Sequence, residues 1–394
     1  YAHPDLKKDK EFILKLLNPY WRSIRFVEPS LRDDKEVVMA AVKQNGWTLD
    51  YAHDDLRKDK GYLITPLSEG GERRSYPIST HNFSPPIPKG MNVISSNYLV
   101  IGFDTEYQRI EVSDDDDIDD DTKYDNEVLS YQYSCMVVDE DKELSHRKWD
   151  GIVIPEGPYK WDRLTVSEFI HFAIGHGIHE FPDIILPRVV YLVAHFTRAD
   201  IPGFKDFKDD TNNQRSNLNL ENIRNTFINV KQDMGITLYD DDDPEIEIKL
   251  LAKVRDTITL APTGKGKLED LGEVLNFEKI KLHEDERVEL DFKRNMRSFM
   301  ESDWSKFREY AIRDAEICLR YTDTMIHLYK EETGRFKLPI TLTQIGVDLI
   351  QQHWLSRDID PLEIVGKEVT KVRFFSKKNN RYVTQKKVVS KKKL

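Results

Sequence analysis

The chain predicts an α/β fold, a mixed sheet with flanking helices, preceded by a small α-helical repeat module. Three observations carry this. Two wholly apolar runs of strand length, Tyr98–Phe103 and Val189–Ala194, have the β-branched content of buried strands. Helical periodicity follows at about Thr165–Ile178 and again over a long stretch at about Asp303–Glu331. A six-residue motif recurs near the start at a strict spacing of 25 residues.

The repeat comes first in the chain. Asp5–Lys10 (DLKKDK), Ser30–Lys35 (SLRDDK) and Asp55–Lys60 (DLRKDK) share one register, with Tyr1, Phe26 and Tyr51 at the same distance before each. Apolar positions follow at matching offsets until Pro66 breaks the third copy, so each unit reads as a capped helix. Units this short do not bury their faces alone and should stack on one another or on the next domain. The array resembles a family of short helical repeats of undefined function, with binding or scaffolding of another protein as its expected use. Gly, Ser and Pro then dominate residues 68–90, which reads as a linker.

At 394 residues the chain is long enough for two or three domains. No run of 18 apolar residues exists, so no membrane span is expected. Cys135 and Cys318 are the only cysteines, which excludes a disulfide framework or a cysteine zinc site and fits a soluble intracellular protein. Because it opens at a tyrosine inside a repeat, the sequence reads as a fragment of a longer protein. The net charge of −11 is concentrated in Ser113–Asp125 and Asp240–Glu247, while Lys367–Leu394 holds eleven Lys or Arg against Glu368. Such a basic end suits a phosphate backbone, and equally a solvated or disordered tail.

Further strands are expected at Val128–Val138, Trp149–Ile154, Thr226–Val230 and Glu245–Val254. The loop Pro262–Lys267 is not a phosphate-binding P-loop, since Leu268 follows Lys267 where Ser or Thr is required.

The chemistry-bearing residues follow or face buried elements. The first strand closes on Asp104-Thr105-Glu106, and alternation along a strand puts both acids on one face, a half-site for a hard divalent cation. A solvated strand-to-loop junction has the same sequence. Asp200 follows the second apolar strand, where it also suits a helix cap. Tyr310 and Asp314 are four apart on the long helix and share one face.

In this order the residues resemble the DEDD exonucleases of the subgroup with a tyrosine in the third motif. From about Tyr98 to Tyr329 the chain is similar to the proofreading domain of protein-primed family B DNA polymerases. The resemblance implies a ribonuclease-H-like domain over about 91–360, which leaves the repeats over 1–67 before it and the basic tail at 361–394 after it. It implies that Asp104, Glu106, Asp200 and Asp314 hold two Mg²⁺ or Mn²⁺ ions and that Tyr310 orients the attacking water. Thr257-Ile258 falls where that family has a strand-contacting Ser/Thr-Leu pair, and Lys279, with Leu282 three residues on, resembles its phosphate-contacting Lys-x-x-hydrophobic motif. One departure stands in the second motif: Phe196 and Ala199 occupy the positions of the family's asparagine and aromatic, so the metal ligand is kept while the grip on the terminal nucleotide differs.

The implied activity is removal of nucleotides from the 3′ end of single-stranded DNA, as the proofreading part of a longer polymerase. An RNA-trimming exonuclease and a non-catalytic nucleic-acid binder remain open, because 2′-hydroxyl contacts are not legible in a sequence. No SLYP-type segment or DTD triplet is present, so a polymerase domain is expected to be absent or to lie beyond Leu394.

Overall fold

The computed structural model describes residues 9–17, 31, 34, 37, 76–86, 95–112, 123–143, 147–155, 157–158, 160–205, 220–223, 227–230, 233–243, 245–376 and 381–390. The chain divides into two compact units, Tyr1–Asp323 and Thr324–Leu394.

The first unit is built on a six-stranded mixed sheet. Its strands are β1 (Asn97–Val112), β2 (Lys123–Asp139), β3 (Lys148–Val153), β4 (Val189–Ala194), β7 (Met234–Tyr239) and β8 (Glu247–Asp256), in the order β3-β2-β1-β4-β8-β7. A separate hairpin joins β5 (Leu220–Ile223) to β6 (Phe227–Val230). β1 pairs antiparallel with β2 and parallel with β4, β4 pairs parallel with β8, and β7 closes the far edge antiparallel. Central position explains the unbroken apolar runs: Leu99, Val100, Ile101, Phe103 and all of β4 are buried because both faces are covered. This is the ribonuclease-H-like α/β architecture that the sequence predicts.

The two faces are covered by different helices. Helix α2 (Val166–Glu180) starts at a capping box, in which the Glu168 amide donates to Thr165 Oγ1 at 3.1 Å and the Thr165 amide to Glu168 Oε2 at 2.7 Å. Its Phe169 meets Phe103 with ring centroids 5.9 Å apart, so the odd-numbered positions of β1 face α2. On the other face, a Cβ built on Gly102 would lie 2.3 Å from the Ala315 carbonyl oxygen and 2.8 Å from the Leu319 amide. Only a glycine lets the backbone of the long helix (Trp304–Thr333) rest directly on the strand. A second core of Leu129, Ile152, Leu282, Phe299, Phe307 and Tyr310 forms on this side.

Near the amino terminus, α1 (Lys10–Leu17) follows Asp9, whose Oδ1 accepts from the Phe12 amide at 3.1 Å. Asp34, 25 residues on, accepts from the Val37 amide at 3.3 Å and pairs with Lys10 at 2.9 Å. The expected caps Asp5, Ser30 and Asp55, most of the repeat, and most of the acidic run at 113–125 lie outside the described residues. Within the stretch that composition marks as linker, Tyr76, Ile78 and Phe83 are core residues. The second acidic window anchors them. Asp240 accepts from the Thr80 amide at 2.6 Å, Ser79 Oγ at 2.9 Å and the amides of Asp242 and Asp243, while Asp241 accepts from the Ile78 amide at 2.7 Å. Burial acts to raise the Asp240 carboxyl, but these donors outweigh it and hold the group at about 2.

The second unit holds the end of the long helix, helix Leu342–Leu355, the short helix Pro361–Ile364, and an antiparallel ribbon of β9 (Lys367–Ser376) and β10 (Arg381–Ser390). The described part of the basic end, residues 367–376 and 381–390, is therefore a regular two-stranded ribbon. Among the described residues no helix is long and apolar enough to cross a membrane.

Candidate active site

Asp104 and Glu106 leave β1 on the same face as Gly102, the face on which the long helix is seated. Because Ala315 is the residue against Gly102, its neighbour Asp314 is delivered to the middle of β1, where the two acids lie; the strand does not close at Glu106 as the sequence suggests but continues past a bulge to Val112. Tyr310, one turn earlier, is 4% exposed and packs edge-on to Phe299. A register shift after Glu106 marks a bulge where β1 stops following β2 evenly, a common device beside functional sites.

The acids influence one another. Burial raises Asp104 to about 7, with Asp314 adding to the rise and Lys279 and a hydrogen bond from Gln132 opposing it. Burial raises Glu106 well above its usual range, with Asp104 and Asp314 adding to it. Asp314 is raised chiefly by burial, against Lys279. Lys279 forms an ion pair with Asp314 Oδ2, and its ammonium lies 5.6 Å from the Tyr310 ring centroid. Burial acts to neutralise this lysine, but Asp314, Asp104 and Glu106 outweigh it and raise its pKa. Asp314 Oδ1 is buried with no hydrogen-bond partner. Burial, then Glu106 and Asp314, raise the Tyr310 phenol and keep it protonated.

Asp200 joins from the parallel neighbour β4. The residue ends a short helix, α3 (Thr197–Asp200), and caps nothing with its side chain. Its Oδ1 lies 2.7 Å from Thr105 Oγ1 and accepts from the Thr105 amide at 3.2 Å. Burial and then Asp104 raise it well above the carboxylate range.

The cap in this region is Asp256, at the end of β8. Its Oδ1 accepts from the amides of Phe196 and Ile258 at 2.9 and 3.0 Å, and its Oδ2 from the Thr197 amide and hydroxyl, each at 2.9 Å. Phe196 is held in the left-handed region at φ 63°, a conformation that costs a bulky side chain energy, and its ring is 39% exposed. Thr257 is fully buried, its hydroxyl 2.9 Å from His195 Nδ1. His195 Nε2 lies 3.1 Å from the Gly266 carbonyl, which fixes the Nε2–H tautomer and ties down the glycine loop. Ile258 is half-buried beside it.

Sequence reasoning did not single out Gly102, Gln132 or Asp256. Gln132 is fully buried and donates to Asp104 Oδ2 at 2.8 Å, while Ser130 Oγ donates to its Oε1 at 3.1 Å. A glycine inside a β-branched run and a glutamine inside a buried strand were the available signals. Asp256 has the sequence appearance of an ordinary strand end.

The donor set is all carboxylate oxygen, with one oxygen of Asp314 unpaired and, among the described residues, four acids against the single ammonium that touches them. Hard divalent cations suit such a set. Among the described residues no three His, Cys, Asp or Glu side chains already converge as a ligand shell. Lys279 instead occupies one oxygen of Asp314. It also lines a cavity of about 470 Å³ whose walls include Lys281, His283, Glu289, Leu290 and Lys293.

Over 311 residues the chain is 26% identical to the primer-independent DNA polymerase PolB of Escherichia coli, a match covering 75% of this chain and 33% of that protein. The chain thus spans about a third of the length of this curated relative. Residues 16–57 match a family described as a domain of unknown function, DUF4116, within the stretch where the six-residue motif recurs every 25 residues.

Proposed function

We propose that the chain is a divalent-metal-dependent 3′–5′ exonuclease, hydrolysing phosphodiester bonds from the 3′ end of single-stranded DNA as the proofreading part of a longer DNA polymerase. The observation that carries this reading is the seating of the long helix on Gly102, which brings Asp314 to Asp104 and Glu106 in a buried, mutually repelling acid cluster. The likeness to PolB supports a nucleic-acid-processing role.

Asp104, Glu106, Asp200 and Asp314 would hold two Mg²⁺ or Mn²⁺ ions. When bound, such ions supply charge stabilisation at phosphate oxygens and lower the pKa of water. The remaining work falls to the chain. Gln132 fixes the orientation of Asp104. Tyr310, kept protonated, serves as a hydrogen-bond group that orients the attacking water rather than as a base. Lys279 offers its charge to a phosphate at the wall shared by the acids and the adjoining cavity. The Phe196 ring provides an exposed face on which a terminal base stacks, in place of a hydrogen-bonding asparagine. Thr257 and Ile258 form the support behind that residue, Ile258 held through its amide by the same Asp256 carboxylate and Thr257 through its hydroxyl against His195.

The test uses end-labelled single strands of DNA and RNA, with Mg²⁺, with Mn²⁺ and with chelator. Stepwise shortening of DNA from the 3′ end, abolished by chelator, is expected. Hydrolysis that survives chelation sinks the mechanism, a preference for RNA redirects it to RNA trimming, and binding without hydrolysis replaces it with a non-catalytic role.

A further inference from the structure

The ribbon of β9 and β10 has two unlike faces. Its register sets Lys371 opposite Lys386, Val369 opposite Val388, Lys367 opposite Ser390 and Arg373 opposite Thr384. These pairs alternate with pairs such as Glu368–Val389 and Thr370–Lys387, so these four cations share one face while Glu368 and Lys387 lie on the other. All eight residues of the cationic face named here are exposed. Like charges placed directly opposite one another weaken a ribbon, so the Lys371–Lys386 pair is a cost that a polyanion would relieve.

We infer that this face docks the phosphate backbone of duplex DNA. Lys367 and Arg373 are six residues apart on one strand, about 20 Å, a distance over which one strand of a DNA duplex passes roughly six phosphates. The ribbon holds its cations at fixed intervals and therefore matches a backbone whose phosphates are themselves held at fixed intervals. A two-stranded ribbon is also narrow enough for the major groove. The duplex, with about one charge per 1.7 Å, offers the larger release of counterions.

This inference rests on the reading of the chain as a DNA-acting protein. Binding is therefore measured in chelator, where hydrolysis plays no part, so that a failed nuclease assay and a failed ribbon are separate results. The full chain is titrated with a blunt duplex of about two helical turns, and with one of its strands, between about 50 and 200 mM salt. In Lys371→Gln/Lys386→Gln the log–log salt slope on duplex should become shallower by about 1.8, so the advantage of the wild type shrinks about 12-fold across that range. Lys371→Arg/Lys386→Arg should keep the wild-type slope. Lys367→Gln, outside the like-charge pair, should give about half the change and reads the same face without disturbing the centre of the ribbon. Unchanged duplex slopes in both glutamine variants overturn the inference. A loss as large on the single strand as on the duplex overturns the duplex as the occupant.

Discussion

Substituting Gly102 by alanine tests the seating of the long helix. The added Cβ would meet the Ala315 carbonyl oxygen at 2.3 Å, whereas ordinary contact begins near 3.4 Å, so the helix must retreat by about 1 Å. The obstructing atoms are backbone, and no rotamer change relieves them. Asp314 precedes Ala315 and moves with it. A misplacement of about 1 Å in a positioned catalytic group costs on the order of 10²-fold in rate, while overpacking of this kind costs about 1–3 kcal/mol in stability. Turnover of a labelled single strand at saturating metal, measured beside a thermal melt, separates the two effects. The expected variant is folded, modestly less stable, and about a hundredfold slower with little change in KM. Wild-type turnover in a Gly102→Ala protein would refute the claim that this contact sets the distance between Asp314 and Asp104.

Asp104→Ala removes a charge and a ligand and should abolish both metal binding and turnover. Tyr310→Phe keeps the ring and the carboxylates, so isothermal titration with Mn²⁺ should be near wild type while turnover falls about 10²-fold. Equal metal-binding defects in the two variants would refute the separation of roles. The Asp240 carboxyl is depressed from 3.8 to about 2, so its contribution to stability is present above pH 4 and is lost as pH falls through 2. Asp240→Asn should therefore be less stable than wild type by on the order of 1–2 kcal/mol at pH 6, after allowance for screening by nearby solvent, and the gap should close towards pH 2. Denaturant melts across that range that stay parallel would show that the charge is not what anchors the Ser79–Thr80 turn.

β4 and the first half of β1 were legible because their sequence announces burial on both faces, and most of β2, with β3, β6 and β8, was also read from the sequence to within a few residues. β7 was not, because as an edge strand it alternates buried and exposed positions over only six residues and carries Gly235 at an exposed one. The ribbon escaped notice because its lysines mask a strand pattern that only pairing reveals. At the site, the four acids were readable from their order along the chain, although Asp104 and Glu106 lie within β1 and Asp314 within the long helix rather than at element ends. Their supports were not. Gln132 acquires meaning only from lying opposite Asp104 across a strand pair, and Gly102 only from the helix that arrives more than two hundred residues later. Asp256 and Asp200 exchange their apparent parts for the same reason: which acid caps and which faces the cluster depends on the packing of parallel strands, not on local sequence.

The Asp256 clamp grips main-chain amides and one threonine hydroxyl, and it takes nothing from the side chain of residue 196. The shape of the backbone leading to Asp200 is therefore decoupled from the chemistry displayed at its exposed turn. Position 196 behaves as an exchangeable fitting on a fixed mount: an asparagine, which tolerates the left-handed conformation more readily than phenylalanine, can replace the ring and alter how a nucleotide is met without shifting the acid four residues on. Under the proposed function, a substitution at this position would change the grip on a nucleotide independently of the acid cluster.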